Sequence, residues 1–105
     1  KQNFIHRLPV RENQTILDVA GGTGDIAIGI QKAYSHLDLK VMVCDLTFPM
    51  IEEGQNNAIN KGVLHNLYWC NGSAESLPIL DQSIDIYTIV FCNNRTFVAG
   101  GHYFG

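Results

Sequence analysis

The chain has 105 residues, 46 % of them hydrophobic and 16 % charged, which is the composition of one ordinary globular domain rather than a disordered or fibrous segment. A net charge of −3 with no run of Lys or Arg leaves no electrostatic footprint for nucleic acid, and no apolar run approaches the roughly 18 to 20 residues of a spanning helix. Three cysteines, Cys44, Cys70 and Cys92, and four scattered histidines fit neither a disulfide framework nor a zinc spacing, so a metal site is not expected and the cysteines read as small buried hydrophobes in a reducing compartment.

In chain order, Lys1 to Leu8 reads as the last turns of a helix stopped by Pro9, and Val10 to Gln14 as a polar connector. Thr15 to Val19 is rich in β-branched residues and reads as the first strand. Three glycines follow within four positions, at Gly21, Gly22 and Gly24. From Asp25 to about Ser35, the apolar positions Ile26, Ile30 and Ala33 give one helical face, with Ile28 beside them. A strand, a tight glycine turn and a helix therefore succeed one another. A glycine backbone admits positive φ and the close approach of a ligand, and the opening helix turn aims free N–H groups at whatever lies over it. The expectation is a loop that holds a nucleoside-bearing cofactor.

A second apolar run, Leu39 to Cys44, ends at Asp45. Phe48 to Asn60 then reads as a helix with Pro49 in its first turn and Gly62 as its stop. Leu67 to Cys70 is a third strand, leading into Asn71-Gly72-Ser73, and the nearly continuous run Ile84 to Phe91 is a fourth, central one. Strands alternating with helices imply a parallel sheet covered on both faces, with ligands at the carboxyl ends of the strands. Those ends are Gly21 to Gly24, Asp45, Gly72 to Ala74, and Cys92 to Arg95.

Asp45 lies 21 positions after Gly24, where an acidic side chain can accept hydrogen bonds from ribose hydroxyls. A carboxylate there can also cap the following helix. The loop admits two cofactors. Gly22-Thr23-Gly24-Asp25-Ile26-Ala27 satisfies the dinucleotide pattern G-x-G-x-x-G/A, the basis for an alternative reading as a fragment of a NAD-dependent oxidoreductase. Asp18 followed by Gly22 and Gly24 resembles instead the first motif of class I methyltransferases that use S-adenosylmethionine.

Further residues separate the two. Leu17-Asp18-Val19-Ala20-Gly21-Gly22-Thr23-Gly24-Asp25-Ile26-Ala27 is similar throughout to the methyltransferases of ubiquinone and menaquinone biosynthesis, as are Cys44-Asp45-Leu46 with Met50, Ala74-Glu75-Ser76-Leu77-Pro78, and Asp81 to Phe91. The resemblance covers residues 15–91 in the family's order and spacing. It implies an α/β Rossmann-like class I methyltransferase fold, incomplete, with the first four strands and their helices. It also implies S-adenosyl-L-methionine as cofactor and C-methylation of a polyprenylated benzoquinol or demethylmenaquinol ring. The family's cofactor contacts fall on Ala20, Gly21, Gly22, Thr23 and Gly24, on Asp45, and on Ser73 and Ala74. Family members carry Asp or Asn where this chain has Ser73, whose shorter hydroxyl reaches less far toward adenine. Met50 becomes a candidate wall of the adenine pocket, while Trp69 and Tyr68 read as strand residues packing under helices.

Beyond Phe91 the similarity fails. Cys92-Asn93-Asn94-Arg95 stands where the family has Gly, an aliphatic residue and Arg-Asn, so no catalytic residue can be assigned. The chain is expected to be a single partial domain. Residues 1–14 form an N-terminal helix and connector, 15–91 the cofactor-binding half and 92–105 a divergent tail, with strand four left as an open apolar edge for a partner chain to cover. A truncated, catalytically inactive cofactor-binding remnant is the non-enzymatic alternative. By resemblance the setting is cytoplasmic, peripheral to the membrane where quinones are made, either the bacterial inner membrane or the matrix side of the mitochondrial one.

Overall fold

A computed structural model of the chain describes residues 3–19, 23–72, 84–90 and 96–100, the last segment as backbone alone. A short 3-10 helix, Asn3–Arg7, leads through the connector to β1 (Thr15–Val19), then α1 (Asp25–Ala33), β2 (Lys40–Asp45), α2 (Phe48–Lys61), β3 (Leu67–Asn71), β4 (Ile86–Val90) and β5 (Thr96–Gly100). The sheet order is β3-β2-β1-β4-β5. The first four strands run parallel, with Ile16 opposite both Val41 and Ile86, and Val43 opposite Trp69. The expected β1 to β4 and both helices therefore stand within two residues of their sequence-based bounds.

Two positive-φ glycines set the helix ends. Gly24 opens α1 at φ 78°, and Gly62 closes α2 at φ 68°, its N–H donating back to Ile59 O. Thr47 precedes α2 in extended geometry and Pro49 occupies its first turn, where no N–H is needed. Both helices press onto one face of the sheet. Ile26, Ala27, Ile28 and Ile30 of α1, with Ile51 and Ala58 of α2, form one cluster with Ile16, Val41, Val43, Leu67 and Ile86, joined by Ile5 and Leu8 from the N-terminal segment. Each fully buried Ile or Leu there contributes about 1.5 to 3 kcal/mol by leaving water. The opposite face carries a smaller cluster of Leu17, Cys44 and Ile84, with Val19, Met42, Cys70 and Tyr87 half-buried around it. No helix residue belongs to that second cluster among the described residues.

Two expectations change. The N-terminal turns are 3-10 rather than α-helical. The edge of β4 is not open either: β5 pairs with it antiparallel, Val90 opposite Thr96 and Ile86 opposite Gly100. The physical reason is the length of the connection. Residues 91–95 are too few for the dozen or more that a parallel crossover requires, whereas a short link suffices for an antiparallel return. The sheet edge that a partner was expected to cover is thus paired within the chain.

Candidate cofactor site at the carboxyl ends of the strands

Three of the four strand ends named from the sequence fall wholly or partly within the described residues. β1 ends in the glycine turn, of which Thr23 and Gly24 are described; Ala20, Gly21 and Gly22 lie outside. Gly24 is buried and left-handed, and no side chain of its own caps α1. A Cβ on Gly24 would stand 2.8 Å from Cη2 of Trp69 and 3.3 Å from Cδ1 of Ile28, so the position is closed to other residues by space as well as by φ. Trp69, expected simply to pack beneath helices, thus also buttresses this turn. Asn57 of α2 donates from Nδ2 to the carbonyl of Thr23 at 2.9 Å.

Beneath the turn, Asp18 is 1 % exposed and its Oδ1 accepts the hydroxyl proton of Thr88 at 2.7 Å. The parallel register makes this contact automatic, since Asp18 and Thr88 face each other on β1 and β4. A carboxylate so deep is costly unless it is hydrogen-bonded, and Thr88 supplies a donor at zero exposure. Sequence reasoning passed over Thr88. Its signal was a hydroxyl within the apolar run Ile86 to Val90.

β2 ends at Asp45, half-buried at the rim. Its Oδ1 accepts from the N–H of Thr47 at 3.0 Å and from the Thr47 hydroxyl at 2.9 Å. These bonds fold the loop ahead of α2 and are not a helix cap: Thr47 is the residue before the helix, and no side chain caps α2. They do not compete with a ligand role, because a carboxylate has about four lone-pair sites. The loop is held from β3: Asn71 Nδ2 donates to the carbonyls of Asp45 and Leu46 at 3.0 and 3.1 Å, and the N–H of Gly72 to Asp45 O at 2.8 Å. Beside this carboxylate in sequence stand three exposed apolar side chains, Leu46 at 73 %, Phe48 at 54 % and Met50 at 37 %. Exposed large apolar side chains at a strand end are available to receive an apolar or aromatic group. Leu46 and Phe48 were not singled out by the sequence.

Cys44 and Cys70 face each other across β2 and β3. Burial, reinforced by the neighbouring Cys70 and Asp45, pushes the Cys44 thiol up to about 11. It is protonated and inert at neutral pH. Ser73, Ala74, Glu75 and the stretch to Pro78 lie outside the described residues, as do Cys92 and Arg95. Among the described residues no cluster of His, Cys, Asp or Glu is arranged to hold a metal ion, and no helix is long and apolar enough to cross a membrane.

A parallel sheet in the order β3-β2-β1-β4, a glycine turn after β1 and an acidic residue ending β2 are common to dinucleotide-binding and class I methyltransferase sheets, and the solved structures show the latter fold. The chain superposes on a SAM dependent methyltransferase from Aquifex aeolicus with a TM-score of 0.71 at 20 % identity, covering 86 % of this chain and 47 % of that one. The YcgJ protein of Bacillus subtilis gives 0.69 at 32 % identity over 83 % of this chain and 35 % of that one.

Within that class the family is narrower. The model of the ubiE/COQ5 methyltransferase family matches residues 1–97, and the chain belongs to that family. The chain is 44 % identical over 91 residues to the ubiquinone/menaquinone biosynthesis C-methyltransferase UbiE of Ruegeria sp. (strain TM1040), a match that covers 87 % of this chain and 36 % of that protein. It thus spans about a third of the length of the curated relatives it matches.

Proposed function

We propose that the chain binds S-adenosyl-L-methionine at the carboxyl ends of β1 to β3 and serves the C-methylation of a polyprenylated quinol, a benzoquinol or a demethylmenaquinol. The observation that carries the reading is the pairing of Asp45 with an exposed apolar rim, Leu46, Phe48 and Met50, at the strand end next to the Gly24 turn. A ribose diol needs an acceptor, and an adenine ring needs apolar walls; this rim offers both. The carboxylate of Asp45 takes the two ribose hydroxyls, and Thr23 and Gly24, with Ala20, Gly21 and Gly22 before them, present backbone to the amino-acid portion. Ser73 and Ala74 complete the adenine side on the family pattern.

Charge distinguishes this cofactor from a dinucleotide. The first turn of α1 carries Asp25, so the helix end that would receive a pyrophosphate already holds a carboxylate. A cofactor with a cationic sulfonium is compatible with a carboxylate there; a pyrophosphate is disfavoured by it.

When bound, S-adenosyl-L-methionine supplies a methyl group activated by its sulfonium. The residues of this chain contribute binding and orientation: Asp45 anchors the ribose, the glycine turn admits the cofactor close to the backbone, and the rim keeps water from the adenine. An apolar, prenylated acceptor implies working at the surface of the membrane that dissolves it. The test is calorimetric titration with S-adenosylhomocysteine and with NADH, followed by transfer of labelled methyl from S-adenosylmethionine to a demethylated quinol. Binding of the first ligand and not of the second is expected. NADH binding without S-adenosylhomocysteine binding would overturn the reading.

A further inference from the structure

Gly24 is the residue that opens α1, it is left-handed, and no side chain supplies the usual capping bond at that end. A glycine in such a place can adopt several backbone conformations unless something outside it chooses one. Two side chains from distant parts of the chain do so. Trp69 of β3 closes the space over Gly24, and Asn57, 34 residues after Thr23, donates its amide N–H to the Thr23 carbonyl from a part-buried position.

Asn57 is placed for this purpose at a cost. Asparagine is a mediocre residue inside a helix, and its neighbours Gln55, Asn56 and Asn60 on α2 point to solvent while Asn57 is half-buried. The bond also has a consequence for geometry. α2 begins directly after Asp45, whose carboxylate holds Thr47, and the same helix grips the glycine turn through Asn57. One rigid element therefore sets the separation between the two parts of the site.

We infer that Asn57 is a positioning residue for cofactor binding, its amide fixing the Thr23 carbonyl and hence the Thr23–Gly24 backbone relative to Asp45. The inference rests on the reading of this site as a S-adenosylmethionine pocket. Asn57 itself touches no ligand. It acts by removing the ordering cost that a loose turn adds to binding, so its loss raises the dissociation constant without altering the ligand contacts.

The experiment is calorimetric titration of the full chain with S-adenosylhomocysteine, alongside thermal melting of the ligand-free protein. Asn57→Asp keeps the shape but replaces the donor by an oxygen that repels the Thr23 carbonyl; Asn57→Gln restores an amide donor on a longer arm; Asn56→Asp adds the same charge on the exposed side of α2. A weakening of about tenfold is expected for Asn57→Asp, the size of one hydrogen bond with its repulsive replacement. Asn57→Gln is expected to recover to within about threefold of wild type and Asn56→Asp to stay within about twofold, roughly the span below half a hydrogen bond.

Equal affinities for Asn57→Asp and Asn56→Asp would overturn the inference, as would a Gln variant as weak as the Asp variant. Loss of the fold in both position-57 variants would overturn it too, since the contact would then be structural. Failure of the wild type to bind S-adenosylhomocysteine would overturn the underlying reading and the inference with it. Wild-type binding that is indifferent to Asn57 would overturn the inference alone.

Discussion

The two ends of the parallel sheet carry similar numbers of polar side chains and use them differently. At the amino end, Gln31 is buried and donates from Nε2 to the carbonyls of Leu39 and Asn66 at 2.8 and 2.9 Å, while Asn66 Nδ2 reaches Asp38 at 2.9 Å. Asp85 accepts the N–H of Thr15 at 2.8 Å, and its own N–H returns to Thr15 O. Every one of these bonds ties chain to chain. At the carboxyl end, Asn57 and Asn71 hold the turns after β1 and β2 and Asp45 holds Thr47, while the apolar side chains Leu46, Phe48 and Met50 are exposed. The first end spends its polar groups on stability, and the second, on the proposed function, shapes a surface for a ligand.

The sharpest break in that comparison is a pair of substitutions. Asp45→Ala is expected to weaken S-adenosylhomocysteine binding about a hundredfold, near 3 kcal/mol for two hydrogen bonds to a charged acceptor, while lowering stability by about 1 kcal/mol through the lost Thr47 contact. Gln31→Leu is expected to do the reverse. It removes the shared donor of the buried Leu39 carbonyl and of the part-buried Asn66 carbonyl, which keeps the Val41 N–H, costing about 1 kcal/mol in denaturant unfolding, with affinity unchanged within about twofold. If both variants lost affinity and stability in parallel, the division between the two ends would be wrong.

How far this division could be read from the sequence depends on whether the signal is local. β1 and β4 were legible because Ile16-Leu17 and Ile86 to Val90 are runs that only a buried strand tolerates. Both helices were legible because Gly24, Pro49 and Gly62 mark their ends by backbone geometry alone. Asp45 was legible as the end of β2 from the run before it, whereas its bonds to Thr47, in place of a cap on α2, were not. The contacts between elements were not legible. Thr88 meets Asp18 through the sheet register, Asn57 meets Thr23 across 34 residues, and Gln31 bridges two loops; no period or spacing announces any of them. β5 was missed for the same reason, since antiparallel pairing with β4 is decided by the shortness of the link and not by a pattern within Thr96 to Gly100.

A smaller effect probes the face of the sheet opposite the helices, where Cys44 is buried beside Cys70. The Cys44 thiol titrates near 11 in the folded chain against 9.0 when unperturbed, so folding favours its protonated form. Its contribution is fully present below pH 9 and is lost as pH rises toward 11. The difference reaches about 1.4 kcal/mol at pH 10. Urea unfolding of the wild type at pH 8 and pH 10 is expected to show this decline, and Cys44→Ala to lack that part of the slope. An equal slope in both proteins would mean that the thiol is not held protonated by its surroundings.

The most direct test of the central claim is to follow backbone amide shifts by NMR during titration with S-adenosylhomocysteine. The account predicts that the large shifts fall on Thr23, Gly24, Asp45, Leu46 and the first turn of α2, with Gln31, Asn66 and Asp85 unmoved. Shifts concentrated at Gln31 and Asn66, or no shifts at ligand concentrations that saturate calorimetry, would contradict it.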